Sequence, residues 1–107
     1  MDKTVGIYCI LNTENMKLYV GQSKNISERL YKHRWLLASD KYKDTELLQK
    51  DYDIFGKDCF EYYILEYCEK SELSWKEVQY IAELKSHYLL WGYNKDGGGK
   101  NFRNWRK

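Results

Sequence analysis

The sequence predicts an α+β domain in which a small antiparallel three-stranded sheet is flanked by helices, in the order β-β-α-α-β-α. Three observations predict this class: two short β-rich runs separated by a polar turn, two stretches of helical periodicity, and a third β-rich run followed by another amphipathic stretch. The chain has 107 residues, enough for one domain with a modest core. It contains no proline, so glycine and asparagine mark the ends of its elements.

The first twenty residues predict a β-hairpin. Residues Val5 to Leu11 are apolar, β-branched or aromatic apart from one glycine, which is typical of a strand. The polar segment from Asn12 to Lys17 has the composition of a tight connection. A second strand then covers Leu18 to Gly21, so the two strands lie side by side.

Two helices are predicted next. Helical spacing relates Ile26, Leu30 and Leu37, with either His33 or Arg34 completing the stripe between the two leucines. Either Asn25 or Ser27 can cap the first turn of this helix. A second helix is expected over Thr45 to Phe55. Gly56 follows it, as glycine often follows the end of a helix.

The remainder predicts one strand and one helix. Phe60 to Tyr67 is rich in tyrosine and apolar residues, as in a strand. Ser74 to Glu77 matches the capping-box pattern, so a helix is expected from there to near Leu90. We expect a domain over residues 1–94, followed over 95–107 by a glycine-rich hinge and a basic, aromatic tail.

Composition and charge exclude some classes of protein but do not indicate a function. Apolar residues make up 43% of the chain, and no apolar run approaches the roughly 20 residues that span a membrane. Three widely spaced cysteines suggest neither zinc nor a disulfide framework, so a cytoplasmic protein is expected. The net charge is only +2, but basic residues prevail in 24–34 and 95–107, and acidic residues prevail in 58–83. The two basic segments could lie together on one basic face of the protein, or their charges could simply be solvated at separate places on its surface.

Four residues could form a site for phosphate chemistry. Tyr8 and Tyr19 fall in paired strands and could point to the same face of the sheet. Arg29 and His33 lie four residues apart, and therefore on one face of the first helix. An arginine can bind a phosphate while a phenol or an imidazole moves a proton. Taken singly, each of these residues is more commonly a core or surface residue than a catalytic one.

The ordered combination of motifs resembles the GIY-YIG nuclease family. Gly6-Ile7-Tyr8 and Tyr19-Val20-Gly21 match the two motifs that name it, the second as a valine variant. The further matches are Arg29, His33, Glu77 and the closing Gly92-Tyr93-Asn94. The resemblance spans residues 6 to 94. Within the family, the chain most resembles the catalytic domains of intron-encoded and free-standing phage homing endonucleases. Tyr42 stands near where some homing members carry a further histidine, so no second catalytic histidine is assigned.

The resemblance implies a metal-dependent DNA endonuclease. In this family a water attacks the phosphorus in line, with one divalent metal, usually Mg2+ and alternatively Mn2+. Tyr8 is the expected general base, assisted by His33. Tyr19 is expected to hydrogen-bond the phosphate or the nucleophile, and could exchange roles with Tyr8. Arg29 is expected to stabilise the phosphoryl charge, and Glu77 to be the only protein ligand of the metal. Glu77 has an alternative interpretation as the cap of its own helix.

The remaining expectations concern the scaffold, DNA contacts and cellular setting. Asn94 belongs to the predicted site, where it is expected to hold the scaffold. Phe102 and Trp105 could stack on bases or pack on the domain. The chain is expected in the cytoplasm of a bacterial or phage-infected cell, with an attached DNA-binding domain or self-association possible. A silent nucleic-acid-binding module and a restriction or repair nuclease are the alternatives. The candidate phosphate contacts are Lys24, Lys32, Arg34, Lys100, Arg103, Arg106 and Lys107.

Overall fold

The computed structural model describes residues 3–39, 46–87 and 89–95, and it confirms the predicted α+β class and the order of elements. All strand pairs are antiparallel, and the strand order is β2-β1-β3. Short 3-10 turns precede β3 and α3. Within the described ranges, no helix is both long and apolar enough to cross a membrane. The elements are β1 Gly6–Asn12, β2 Leu18–Ser23, α1 Ile26–Ala38, α2 Glu46–Phe55, β3 Phe60–Tyr67 and α3 Leu73–Leu84.

The central strand β1 is buried on both faces. Side chains alternate along a strand, so Ile7 and Cys9 point to one face, where they pack with Ile81 of α3. Tyr8 and Ile10 point to the other face and pack against residues of α1 and α2. The sheet therefore lies between α3 on one side and α1 and α2 on the other, and β2 is one of its two edges.

Helix α1 begins where the sequence allowed two caps. The Asn25 side chain accepts a hydrogen bond from the backbone N–H of Glu28 at 3.3 Å, whereas Ser27 lies inside the helix and is exposed. Of the two residues that could complete the buried stripe, His33 is buried and Arg34 is exposed. The imidazole of His33 therefore faces the sheet.

Helix α3 differs from the prediction at both ends. It begins at Leu73, and the capping box is formed one turn earlier, by Glu69 and Glu72 around a 3-10 turn. Burial of Leu73 against the core explains the earlier start, because the helix must already be formed where this side chain packs. The helix ends at Leu84 and not near Leu90, because Lys85 adopts a left-handed conformation with φ of 55°.

After α3 the chain turns back to the edge strand β2. The backbone N–H of Tyr93 donates to the carbonyl of Leu18 at 2.9 Å, and that of Asn94 donates to the carbonyl of Ser86 at 2.8 Å. A Cβ at Gly92 would lie 2.0 Å from the Ser86 carbonyl oxygen, so only glycine allows this close approach. The terminal segment is thereby held against β2. The predicted boundary at residue 94 stays a prediction, because residues 96–107 lie outside the described ranges.

The cap of α1 can be tested by a matched pair of substitutions. We expect Asn25→Ala to lower the free energy of unfolding by about 1 kcal/mol, because the N–H of Glu28 loses its partner. Ser27→Ala should not lower it, because this serine is exposed and alanine is the better helix former. Urea unfolding followed by circular dichroism measures both. Equal losses in the two variants would contradict the assignment of the cap.

Candidate active site

Tyr8 lies at the centre of the site because β1 places its side chain on the buried face under α1. The residue is only 1% exposed. Its hydroxyl oxygen lies 2.5 Å from Nε2 of His33, and Nε of Arg29 donates to the same oxygen at 3.4 Å. Because Arg29 and His33 are one helical turn apart, α1 brings both to the phenol at once. The predicted convergence of these three residues is therefore present.

Gly21 makes room for the phenol. It lies directly opposite Tyr8 in the β1–β2 register. A Cβ at this position would lie 2.4 Å from both the hydroxyl oxygen and Cζ of Tyr8. The glycine of the second motif is thus required by packing: the tyrosine ring occupies the space that any other side chain would fill.

Tyr19 joins the cluster from the same strand as Gly21. Tyr19 and Gly21 lie two positions apart in β2, so they share the face that Tyr8 uses. The Tyr19 ring meets the His33 imidazole edge-on, with centroids 5.6 Å apart at 64°. Tyr8 packs against the same imidazole with centroids 5.2 Å apart. Both tyrosines therefore contact His33 on one face of the sheet.

His33 is held neutral at physiological pH. Burial disfavours the imidazolium, and the nearby Arg29 guanidinium disfavours it further, so the pKa of His33 falls from 6.5 to about 3. The side chain is 1% exposed. A neutral imidazole can accept or donate a proton at Nε2, where it meets the Tyr8 hydroxyl.

Glu77 lies in α3, on the other face of the sheet from Tyr8, and does not cap its helix. The helix begins at Leu73, so Glu77 lies a full turn inside it, and the capping interpretation was wrong. Its side chain is 9% exposed, and Oε1 accepts a hydrogen bond from Nε2 of Gln22 at 3.1 Å. Gln22 follows Gly21 in β2, so one strand contacts both Tyr8 and the Glu77 carboxylate.

Asn94 holds the edge strand. Its Oδ1 accepts a hydrogen bond from the backbone N–H of Val20, and its Nδ2 donates to the Val20 carbonyl, both at 2.9 Å. These bonds replace the neighbouring strand that β2 lacks at this edge. Val20 lies between Tyr19 and Gly21, so Asn94 positions two residues of the cluster through the backbone.

A partly buried polar network holds Tyr93, the residue before Asn94. The Tyr93 hydroxyl donates to Oδ2 of Asp51 at 2.6 Å and accepts a hydrogen bond from Nδ2 of Asn12 at 3.1 Å. Burial and the hydrogen bond to Asp51 raise the pKa of Tyr93. The network joins α2, the hairpin and the terminal segment, and so holds Asn94 near β2.

Outside the family motifs, three residues of this arrangement were not among the predicted site residues: Gln22, Asn12 and Asp51. The sequence signal for Gln22 was strand alternation, which places it on the same face as Val20. Its partner Glu77 follows 55 residues later, in a helix, so alternation does not indicate this contact. Asp51 lies in α2, and the helical period of that segment does not indicate that its carboxylate binds a tyrosine hydroxyl. Only the packing of separate elements identifies these contacts.

The predicted DNA contacts are only partly described. Lys24, Lys32 and Arg34 are exposed, and the Arg34 guanidinium lies over the Tyr62 ring, 4.3 Å from its centroid. The other predicted basic contacts lie outside the described residues, as do Tyr42 and the tail aromatics. They are Lys100, Arg103, Arg106 and Lys107.

The protein-family model of the GIY-YIG catalytic domain matches residues 4–103 of this sequence. The chain belongs to the GIY-YIG family. Membership confirms the resemblance drawn from the motifs and implies an endonuclease acting on DNA.

Solved structures agree with this assignment of a GIY-YIG domain. The catalytic domain of the homing endonuclease I-TevI is 34% identical, with a TM-score of 0.76, over 86% of this chain and 98% of that one. A glutamate-to-alanine mutant of the catalytic domain of the intron endonuclease I-TevI is 33% identical, with a TM-score of 0.76, over 88% of this chain and 95% of that one. No curated protein sequence matches the chain significantly.

The contact between Gly21 and Tyr8 predicts a coupled loss in this GIY-YIG domain. We expect Gly21→Ala to lower the free energy of unfolding by about 1–3 kcal/mol, because the added methyl group overlaps the phenol ring. In a Tyr8→Ala background the same change should cost much less, since the ring is gone. A double-mutant cycle by chemical unfolding measures the coupling. Additive losses would show that the ring is not what excludes a side chain.

Burial of neutral His33 predicts a pH-dependent stability. Between pH 6.5 and about pH 3 the unfolded chain binds a proton that the folded chain does not, so the free energy of unfolding falls as the pH falls. The contribution of this residue is at most about 1.4 kcal/mol for each pH unit. The wild type should therefore lose about 2 kcal/mol more than His33→Gln between pH 6.5 and 4.5 in urea titrations. Parallel curves for the two proteins would contradict a buried neutral imidazole.

Proposed function

We propose that this chain is a metal-dependent DNA endonuclease of the homing type that uses Tyr8 and His33 to activate a water. The observation that supports this most directly is the Tyr8 hydroxyl, 2.5 Å from Nε2 of His33 and within hydrogen-bonding distance of Arg29. In a GIY-YIG domain, this arrangement offers a proton acceptor and a phosphate-binding cation around one buried oxygen.

The pair can move a proton without a free phenolate. A phenol has an ordinary pKa near 10, so Tyr8 is a weak base by itself at neutral pH. As the water attacks the phosphorus, its proton passes to the Tyr8 oxygen while the hydroxyl proton of Tyr8 passes to Nε2 of His33. The water oxygen forms the new bond to phosphorus, and the leaving oxygen departs with the bonding electron pair.

The low pKa of His33 is compatible with this step once DNA is bound. Burial and the positive charge of Arg29 lower the pKa of His33 in the chain alone. A phosphate beside Arg29 compensates that charge and favours the imidazolium, so substrate binding raises the pKa of His33. His33 would then become a better proton acceptor when a phosphodiester is present. The Arg29 guanidinium would also stabilise the charge that develops on the phosphoryl oxygens.

The residues present fit one hard divalent cation. Among the described residues there is no cluster of three or more His, Cys, Asp or Glu that could hold a metal, which does not favour a zinc-type site. Mg2+ keeps several waters and commonly binds through one or two carboxylates and the phosphates of the substrate, so Glu77 is a sufficient protein ligand, and Mn2+ can use the same oxygen. When bound, the metal would neutralise negative charge at the scissile phosphate. Gln22 would hold the Glu77 carboxylate in place for it.

DNA contacts and cellular setting complete the proposal. The exposed Lys24, Lys32 and Arg34, together with the basic tail, would contact phosphates without reading sequence. An attached DNA-binding domain or self-association would supply site selection. The cytoplasm of a bacterial or phage-infected cell offers the DNA substrate, and the three free cysteines suit its reducing conditions.

The role of Glu77 can be tested on supercoiled plasmid. We expect the wild type with Mg2+ to produce nicked or linear DNA, and both EDTA and Glu77→Gln to reduce the rate by at least about 100-fold, because the metal loses its protein ligand. Glu83→Gln is the matched control, since Glu83 is an exposed glutamate of the same helix. Circular dichroism shows whether each variant is folded.

Two outcomes would contradict the proposal. Cleavage by Glu77→Gln at the wild-type rate would remove Glu77 from the metal site. Absence of cleavage by the wild type, with DNA binding retained in a low-salt gel-shift assay, would favour a silent nucleic-acid-binding module.

A further inference from the structure

Two large aromatic side chains are exposed on the outer face of α1. Tyr31 is 71% exposed and Trp35 is 51% exposed. They lie four residues apart and therefore on the same side of the helix, one turn from each other. The buried stripe of α1 runs along the opposite side, so neither ring belongs to the core of the domain.

Basic side chains surround these rings. From residue 24 to residue 35 the chain carries four basic residues and a single acidic residue, Glu28. Lys24, immediately before α1, and Lys32, beside Tyr31, are exposed. A surface that combines positive charge with exposed rings is complementary to a nucleic-acid strand, which offers phosphates and base faces.

The surface is continuous with the catalytic cluster. A helix turns about 100° per residue, so Arg29 and Lys32 lie on one flank of α1 and Arg34 on the other. Trp35 and Tyr31 lie on its outer face together with Glu28, the one acidic side chain of this band. Arg29 contacts the Tyr8 hydroxyl at one end of this band. At the other end, Arg34 and Tyr62 line an open cleft of about 600 Å³ between α1, α2 and β3.

We propose that this band of α1 binds an unpaired stretch of the DNA strand beside the scissile phosphate, with Tyr31 and Trp35 stacking on its bases and Lys32 binding its phosphates. The proposal rests on the proposed nuclease function and adds a preference within its substrate class. Intact duplex DNA presents phosphates and groove edges, while its base faces are covered by stacking. The rings therefore contribute only where bases are unpaired, and the lysines contribute on either form.

The expected effects separate stacking from charge. Stacking on an aromatic ring is typically lost on alanine substitution, so Tyr31→Ala and Trp35→Ala should each weaken binding to bubble DNA by about 5-fold to 100-fold. On intact duplex the change should be below about 2-fold, and the salt dependence should not change. Lys32→Gln should weaken binding to both forms and reduce the slope of log Kd against log salt by about 0.7 to 0.9.

The experiment measures Kd by fluorescence anisotropy with the full chain in EDTA, so that no DNA is cut. The probes are a 30-base-pair duplex and the same duplex with a central bubble of four unpaired bases. Trp75→Ala is the matched control, because Trp75 is an exposed tryptophan of another helix, at 46% exposure. Trp35→Leu keeps an apolar side chain without the ring, and should lose bubble binding as Trp35→Ala does. Sedimentation velocity of each variant reports association between copies.

The outcomes decide the proposal separately from the nuclease function. Weaker binding that is confined to bubble DNA and to the Tyr31 and Trp35 variants supports the proposal. Equal losses on both probes, unchanged binding, or loss of a dimer without a change in DNA binding would overturn it. If the wild type cuts plasmid while the ring variants bind the bubble normally, only this inference fails. If plasmid is not cut but the bubble preference depends on the rings, the nuclease proposal fails and the binding surface stands.

Discussion

The buried hydrogen bond between Tyr8 and His33 is the interaction on which the rest of the site depends. It places a phenol and an imidazole inside the domain, each almost fully removed from water. Buried polar groups without partners are costly, so the two residues must satisfy each other, and α1 must lie where the imidazole meets the hydroxyl. The position of the helix over the sheet and the chemistry of the site thus have one physical origin.

The edge strand β2 carries most of the remaining constraints. On one face it supplies Tyr19 and Gly21, which contact His33 and Tyr8. On the other face it supplies Gln22, which contacts Glu77. An edge strand has unpaired backbone groups and is readily displaced or paired with another chain. Asn94 binds the N–H and carbonyl of Val20, so the strand is held at its outer side by a side chain in place of another strand.

The charged groups of the candidate site lie in two layers of the fold. Arg29 lies beside a neutral histidine and a neutral phenol, and the Glu77 carboxylate approaches from the opposite layer of the fold, held by an uncharged glutamine. A phosphodiester together with a divalent cation would balance both the guanidinium and the carboxylate. Outside this centre, α1 presents aromatic rings and lysines to solvent, so one helix connects the Tyr8 hydroxyl to the surface that we propose binds DNA.

The sequence by itself determined the elements whose signals are local. The hairpin, α1 and β3 follow from alternation, helical period and turn residues, and the shared face of Tyr8 and Tyr19 follows from paired strands. The motif order identified the family for the same reason, since each motif is a short run of adjacent residues. The sequence could not decide between Asn25 and the serine at 27 as the cap, or between His33 and Arg34 as the buried residue, because neighbouring residues fit the same period.

Only the tertiary structure decided the features that depend on contacts between distant elements. The start of α3 follows the burial of Leu73, and its end follows the turn of the terminal segment towards β2, neither of which is visible in the local capping pattern. The contact of Gln22 with Glu77 joins residues 55 positions apart. The two hydrogen bonds of Asn94 to Val20 span 74 positions. Such contacts form because packing brings unlike elements together, and no periodicity within either element encodes which residue of the other it will meet.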